Sequence, residues 1–276
     1  MIPPASLDAD LSRALDRGEL TLDYQPQVIA RTGRVAAVEA LLRWNHPRRG
    51  PVSPASFIPA AERSGLIVAI GDWVLRAACL QSRRWLDAGL APVRMAVNLS
   101  ARQFSDRDLA RRVEESLDGA GLEPHDLELE ITESMMARDP DAAVRTAGAL
   151  RASGVRLMID DFGTGYSSLA SLKRFPIDGL KLDRAFVAHL PHDPCDAVIT
   201  RAVVTIARDL GLDLVAEGVE TDDQRLFLID LGYGLLQGYL TGRPQSPDRL
   251  AELLRPSPLR DCQRPEQPAR PHRANR

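Results

Sequence analysis

Cysteine is scarce in this chain of 276 residues: Cys79, Cys195 and Cys262 lie far apart, with no CxxC pair and no histidine cluster beside them. That excludes a cysteine-based zinc site or a disulfide framework and makes a reducing, cytoplasmic compartment the expectation. Long apolar runs are missing as well. None approaches the roughly 20 residues that span a bilayer, and the opening MIPPASLDADLSRAL lacks the basic start and apolar core of a signal peptide. Excess positive charge is also lacking. A formal charge of −3 argues against a protein that grips DNA or RNA duplexes by their phosphates. What remains is 44% hydrophobic, enough for a large core, at a length that suits one α/β barrel of about 250 residues.

The hydrophobic pattern predicts a short helix over 7–17 and two strands over 20–30 and 35–44, joined by Arg31-Thr32-Gly33-Arg34 as an antiparallel hairpin. A Pro/Gly/Arg loop follows over 45–54, then helices over 56–63 and 72–86. The second of these has Trp73, Leu75, Cys79, Leu80 and Trp85 as its apolar stripe. From there strands (93–99, 127–132, 155–159, 179–183, 212–216, 235–240) alternate with helices (106–119, 140–153, from 169, 196–210, 222–231, 247–254). Repeated β-then-α units imply parallel strands with helical crossovers. The fold class expected is therefore α/β, a modified TIM (β/α)8 barrel with an antiparallel first strand, over residues 1–255. Residues 256–276, rich in Pro and Arg, read as a disordered tail.

The chain is organised around VRLMIDDFGTGYSSLASLK, residues 155–173. A buried strand runs into Asp160 and Asp161, two glycines follow, and Ser167-Ser168 is placed to cap the helix beginning near Leu169. Every other strand also ends in a polar residue, where TIM barrels keep their catalytic groups. The first strand gives Gln25, the second Glu39 with Arg43 on the same face, and the third Asn98. The fourth gives Glu130 with Glu133 behind it, the sixth Lys181 and Asp183, the seventh Glu217 and Glu220, the eighth Gln237. Buried carboxylates are costly unless paired or metal-bound. Glu39, Glu130, Asp160, Asp161 and Glu217 stand against only Lys181 and Arg43. That imbalance calls for about two divalent cations, an arrangement that serves phosphodiester hydrolysis. His46 reads as loop structure, and His125, His189, His192 and His272 as scattered surface residues.

These motifs resemble those of the EAL-domain cyclic di-GMP phosphodiesterases. EALLRW from Glu39, QPQ at 25–27, VNLSARQF from Val97, ELEITES from Glu128, IDDFGTGYSSL from Ile159, KLD from Lys181, AEGVET from Ala216 and QGYL from Gln237 occur in the family's order. The resemblance covers residues 7–254. It implies hydrolysis of cyclic di-GMP to linear pGpG with two Mg2+ or Mn2+ ions. By that resemblance Glu39, Asn98, Glu130 and Asp160 ligate one metal, and Asp160, Asp161 and Glu217 the other, Asp160 bridging. Lys181 contacts the attacking water, Gln237 orders the site near it, and Glu217 is a candidate base. Together with Glu39 these are the implied catalytic residues. Arg43 and Gln25 hold the dinucleotide, Glu220 faces a guanine edge, and Glu133 braces the DFGTGYSS loop, which the family links to a homodimer. Thr241 departs from the family, which more often has a bulkier residue after QGYL.

Some relatives have lost catalysis and act as cyclic di-GMP receptors or protein-interaction modules, usually without one of the acidic ligands. Here every ligand is present, so an enzyme is expected, with Ca2+ as an inhibitor because it tolerates looser geometry than Mg2+. Family members often carry a sensory or GGDEF domain before the barrel. This chain has no room for one, so it is expected to be a stand-alone enzyme or a piece of a longer protein.

Overall fold

A computed structural model describes residues 4–165 and 169–255. The expected cap at Ser167-Ser168, the tail over 256–276, Cys262 and His272 lie outside the described residues. The strands are β1 (Leu20–Ile29), β2 (Val35–His46), β3 (Gly50–Val52), β4 (Arg94–Asn98), β5 (Leu127–Thr132), β6 (Arg156–Phe162), β7 (Gly179–Leu182), β8 (Asp213–Ala216) and β9 (Leu235–Leu236). The helices are α1 (Pro4–Ala14), α2 (Pro54–Ser64), α3 (Ile67–Asp87), α4 (Ala101–Phe104), α5 (Leu109–Ala120), α6 (Glu133–Arg138), α7 (Pro140–Ala152), α8 (Leu169–Arg174), α9 (Pro194–Leu210), α10 (Asp222–Leu231) and α11 (Pro247–Leu254). None of the described helices is long and apolar enough to cross a membrane.

The strands follow the order β1-β9-β8-β7-β6-β5-β4-β2-β3, and the β1–β2 pairing closes the ring. β1 runs antiparallel to both neighbours, while β2 and β4 through β9 pair in parallel. The hairpin expected at 31–34 is what reverses β1, with Gly33 at φ 67 in the turn. β3 is an edge strand folded back on the end of β2 within the stretch expected to be a plain loop.

Alternation along β1 explains how one strand serves both the core and the barrel interior. Tyr24 faces the helices, its ring 5.0 Å from that of Trp85 on α3. Gln25 and Gln27 point the other way, into the barrel. Trp44 likewise packs edge-on against Phe57 of α2 at 5.6 Å. The buried stripe of α3 is Ile67, Ile70, Val74, Leu75, Ala78, Cys79 and Trp85. Leu80, expected in that stripe, is exposed instead, because it sits about 100° round the helix from Cys79. His46 is buried at the end of β2, and its Nε2 lies 3.1 Å from Asp10 Oδ2, fastening α1 to the barrel.

Candidate active site

The carboxylates come from β2 (Glu39), β5 (Glu130), β6 (Asp160 and Asp161) and the residue after β8 (Glu217). β6 does not end at its aspartates, as expected, but continues one residue past them to Phe162. In an ordinary strand neighbouring side chains diverge. Here Asp161 takes a left-handed backbone at φ 53, the sole non-glycine to do so among the described residues, and the β6–β7 register shifts between Ile159 and Phe162. Aspartate tolerates that region better than most residues, at a cost of about 1–3 kcal/mol. The result is that Asp160, Asp161 and Glu217 each bring an oxygen within 4.8 Å of the others.

Lys181 stands at the centre, with its side chain buried. Its Nζ is 2.6 Å from Glu217 Oε1, 2.9 Å from Glu130 Oε2, 3.1 Å from Asp160 Oδ1 and 3.7 Å from Glu39 Oε2. Burial works against its charge, but Glu130, Glu217, Glu39 and Asp160 outweigh burial and hold its pKa well above the usual lysine range. Burial pushes Glu130 well above the ordinary carboxylate range despite Lys181. Glu217 is pushed up to about 7, by burial first and then by Asp160 and Glu39 against the pull of Lys181. Asp161 rises to about 6, through burial, the Asp160 charge and Asp183.

Amides fix the rest. Asn98 Nδ2 donates to Glu39 Oε1 at 2.6 Å, and Gln237 Nε2 donates to Glu39 Oε2 at 2.5 Å and Gln25 Oε1 at 3.2 Å. Gln25 in turn donates to the Gly242 carbonyl at 3.0 Å. Glu133, at the start of α6, accepts the Gly163 amide at 2.9 Å and so ties β5 to the turn after β6. A Cβ on Gly165 would lie 2.3 Å from Glu133 Oε2, so the loop closes tightly over that carboxylate.

Two expectations need correction. Arg43 is not a counter-charge to the cluster: its Nε bonds Asp23 Oδ2 at 2.8 Å on the neighbouring strand, leaving Lys181 as the cation among the carboxylates. Glu39 and Glu130, implied for a different metal from the trio of Asp160, Asp161 and Glu217, face that trio across Lys181. The final strand, expected over 235–240, ends at Leu236, because Gly238 presses onto the Val219 backbone and turns the chain. Thr241 closes that turn, its hydroxyl donating to the Gly238 carbonyl at 3.0 Å. A Cβ on Gly238 would sit 2.1 Å from the Val219 carbonyl oxygen. Gly238→Ala is therefore expected to destabilise by about 2 kcal/mol, lowering the melting temperature by about 5 °C; an unchanged melting curve would contradict the contact. Glu220 is exposed and makes no side-chain contact with the cluster. Gln27, not singled out from the sequence, donates to Glu130 Oε1 at 3.4 Å; its place two residues beyond Gln25 was the available clue.

The donor set fits divalent cations. All its atoms are hard oxygens, and negative groups outnumber the lone ammonium. Gln237 Oε1 is buried with no hydrogen bond, and Glu130 Oε2 has only the Lys181 ammonium beside it.

Comparison with known proteins agrees with this geometry. Residues 8–244 match the EAL domain family. The chain is 52% identical over 87% of its length to the bifunctional diguanylate cyclase/cyclic di-GMP phosphodiesterase MucR of Pseudomonas aeruginosa, covering 35% of that protein. It is 40% identical over 86% of its length to the cyclic di-GMP phosphodiesterase PdeR of Escherichia coli K12, covering 36% of it. It thus spans about a third of the length of these relatives. A solved structure of the PaMucR phosphodiesterase in complex with c-di-GMP superposes with a TM-score of 0.85 at 51% identity, over 89% of this chain and 99% of that one. By motif order, barrel topology and these matches, the chain belongs to the EAL domain family.

Proposed function

We propose that this chain is a metal-dependent phosphodiesterase that opens cyclic di-GMP to linear pGpG. The observation that carries the reading is the ring of Glu39, Glu130, Asp160 and Glu217 around one buried ammonium at the strand ends. Glu39, Asn98, Glu130 and Asp160 would hold one Mg2+ or Mn2+, and Asp160, Asp161 and Glu217 the other. When bound, the two cations supply a lowered water pKa and neutralise charge on the phosphodiester. Lys181, held protonated by its neighbours, acts at Nζ as donor and counter-charge and not as a base. Glu217, with Oε1 2.6 Å from Lys181 Nζ, is the candidate base. Gln237 keeps Glu39 in one orientation. Arg43, steadied by Asp23, would contact a phosphate, with Gln25 and Glu220 on the rest of the dinucleotide. Glu133 would brace the loop after β6, which the family links to a homodimer; a reducing cytosol is the compartment that fits the cysteine content. Incubation with cyclic di-GMP tests the reading. It expects pGpG with Mg2+ and none with EDTA, and an intact cyclic dinucleotide under both Mg2+ and Mn2+ would overturn it.

Protons must leave Glu217 and Asp161 before either can ligate a cation. Their raised pKa values, about 7 and about 6, place that cost below neutrality. Mg2+ affinity is therefore expected to rise about 100-fold from pH 5.5 to 7.5, with proton release on binding. Calorimetry in two buffers of different ionisation enthalpy reads both, and pH-independent binding would contradict the assignment. Ca2+ should compete for the same oxygens without supporting turnover, because its coordination is longer and looser. Equal rates with Ca2+ and Mg2+ would count against the site as described.

A further inference from the structure

We propose that Gln27 is a positioning residue that orients Glu130 toward the metals, an inference that rests on the metal-dependent reading above. Gln27 shares the barrel-facing side of β1 with Gln25 and is fully buried. The amide turns Nε2 toward the carboxyl group, where it meets Glu130 Oε1 at 3.4 Å. The other oxygen, Oε2, is then the one facing Lys181 and the site, 2.9 Å from Nζ. Glu39 is held by the same device, with the Asn98 and Gln237 amides each taking one of its oxygens. Hydrogen bonds of this kind set the direction of a ligand and are worth about 10–100-fold in metal affinity.

The arrangement leaves Gln27 Oε1 buried without a partner. The amide thus spends its donor on Glu130 while its own oxygen goes unpaired. Gln27→Met removes the donor at similar volume and leaves Glu130 Oε1 free to turn. Mn2+ binding to the substrate-free protein, read by electron paramagnetic resonance, is expected to weaken about 10-fold or more. The metal-free protein should still melt cooperatively, and KM for cyclic di-GMP at saturating Mn2+ should be unchanged. Gln25→Met is the contrast, with KM raised and Mn2+ binding unchanged. Wild-type Mn2+ affinity in Gln27→Met overturns this inference alone, whereas a wild-type protein that binds no Mn2+ overturns the metal-dependent reading itself. In the wild type labelled with 15N-glutamine, the Gln27 side-chain amide resonances are expected to move on Mg2+ titration. That measurement needs no variant to fold, and unmoved resonances would overturn the assignment.

Discussion

Asp160→Asn is expected to reduce turnover at saturating Mg2+ by at least about 10³-fold. The substitution keeps shape and removes one charge, at the carboxylate assigned to both cations. Asp160 Oδ1 lies 3.1 Å from Lys181 Nζ and accepts the Asp161 amide at 3.0 Å, so its position is fixed by the strand and not by the metals. Folding should not suffer. One negative charge leaves a crowded group, and the metal-free melting temperature is expected to stay level or rise. Lost activity in a protein that still melts normally is the signature of a shared ligand. Near-wild-type turnover by this variant would sink the two-metal reading.

Lys181→Met is expected to act first on stability. It leaves Glu39, Glu130, Asp160 and Glu217 without the ammonium that faces all four. Removing one partner of a buried charge group costs about 3–5 kcal/mol, or about 10 °C in melting temperature for a domain of this size. The pH dependence has a definite sign. Without Lys181 the carboxyl pKa values rise further, so the folded state binds protons that the unfolded chain does not hold. Stability in EDTA should therefore be lost as pH rises from 5 to 8, and the deficit relative to wild type should widen over that range. Saturating Mg2+ should restore most of it, because the cations supply the missing positive charge. Turnover should still fall by about 10²–10³, since no side chain replaces the donor at Nζ. Identical melting of variant and wild type in EDTA at pH 8 would show that Lys181 does not hold the carboxylates together.

Most of the site was legible because polar residues in apolar strands are conspicuous. Glu39, Glu130, Lys181 and Glu217 each interrupt a run that is otherwise Val, Leu, Ile or Ala, and the β-α alternation placed them at one end of a barrel. What was not legible depends on backbone geometry and on partners remote in sequence. The left-handed turn at Asp161, which lets adjacent aspartates serve one site, follows from the shifted β6–β7 register and not from any local motif. The pairing of Arg43 with Asp23 joins two strands through a diagonal contact that spacing cannot show. Gln27 and Glu130 are separated by 103 positions, so only closure of the barrel by β1 reveals their contact. The helix α4 was readable in principle: Ser100 and Gln103 form a capping box. β3 was hidden because its Gly-Pro start looks like a turn.

Anomalous scattering from crystals soaked in Mn2+ tests the central claim most directly. Two peaks are predicted, one against Glu39, Asn98, Glu130 and Asp160 and one against Asp160, Asp161 and Glu217, with Lys181 Nζ farther from Glu130 and Asp160 than 2.9 and 3.1 Å. A single peak confined to Asp160, Asp161 and Glu217, or no peak with Lys181 unmoved, would contradict the account.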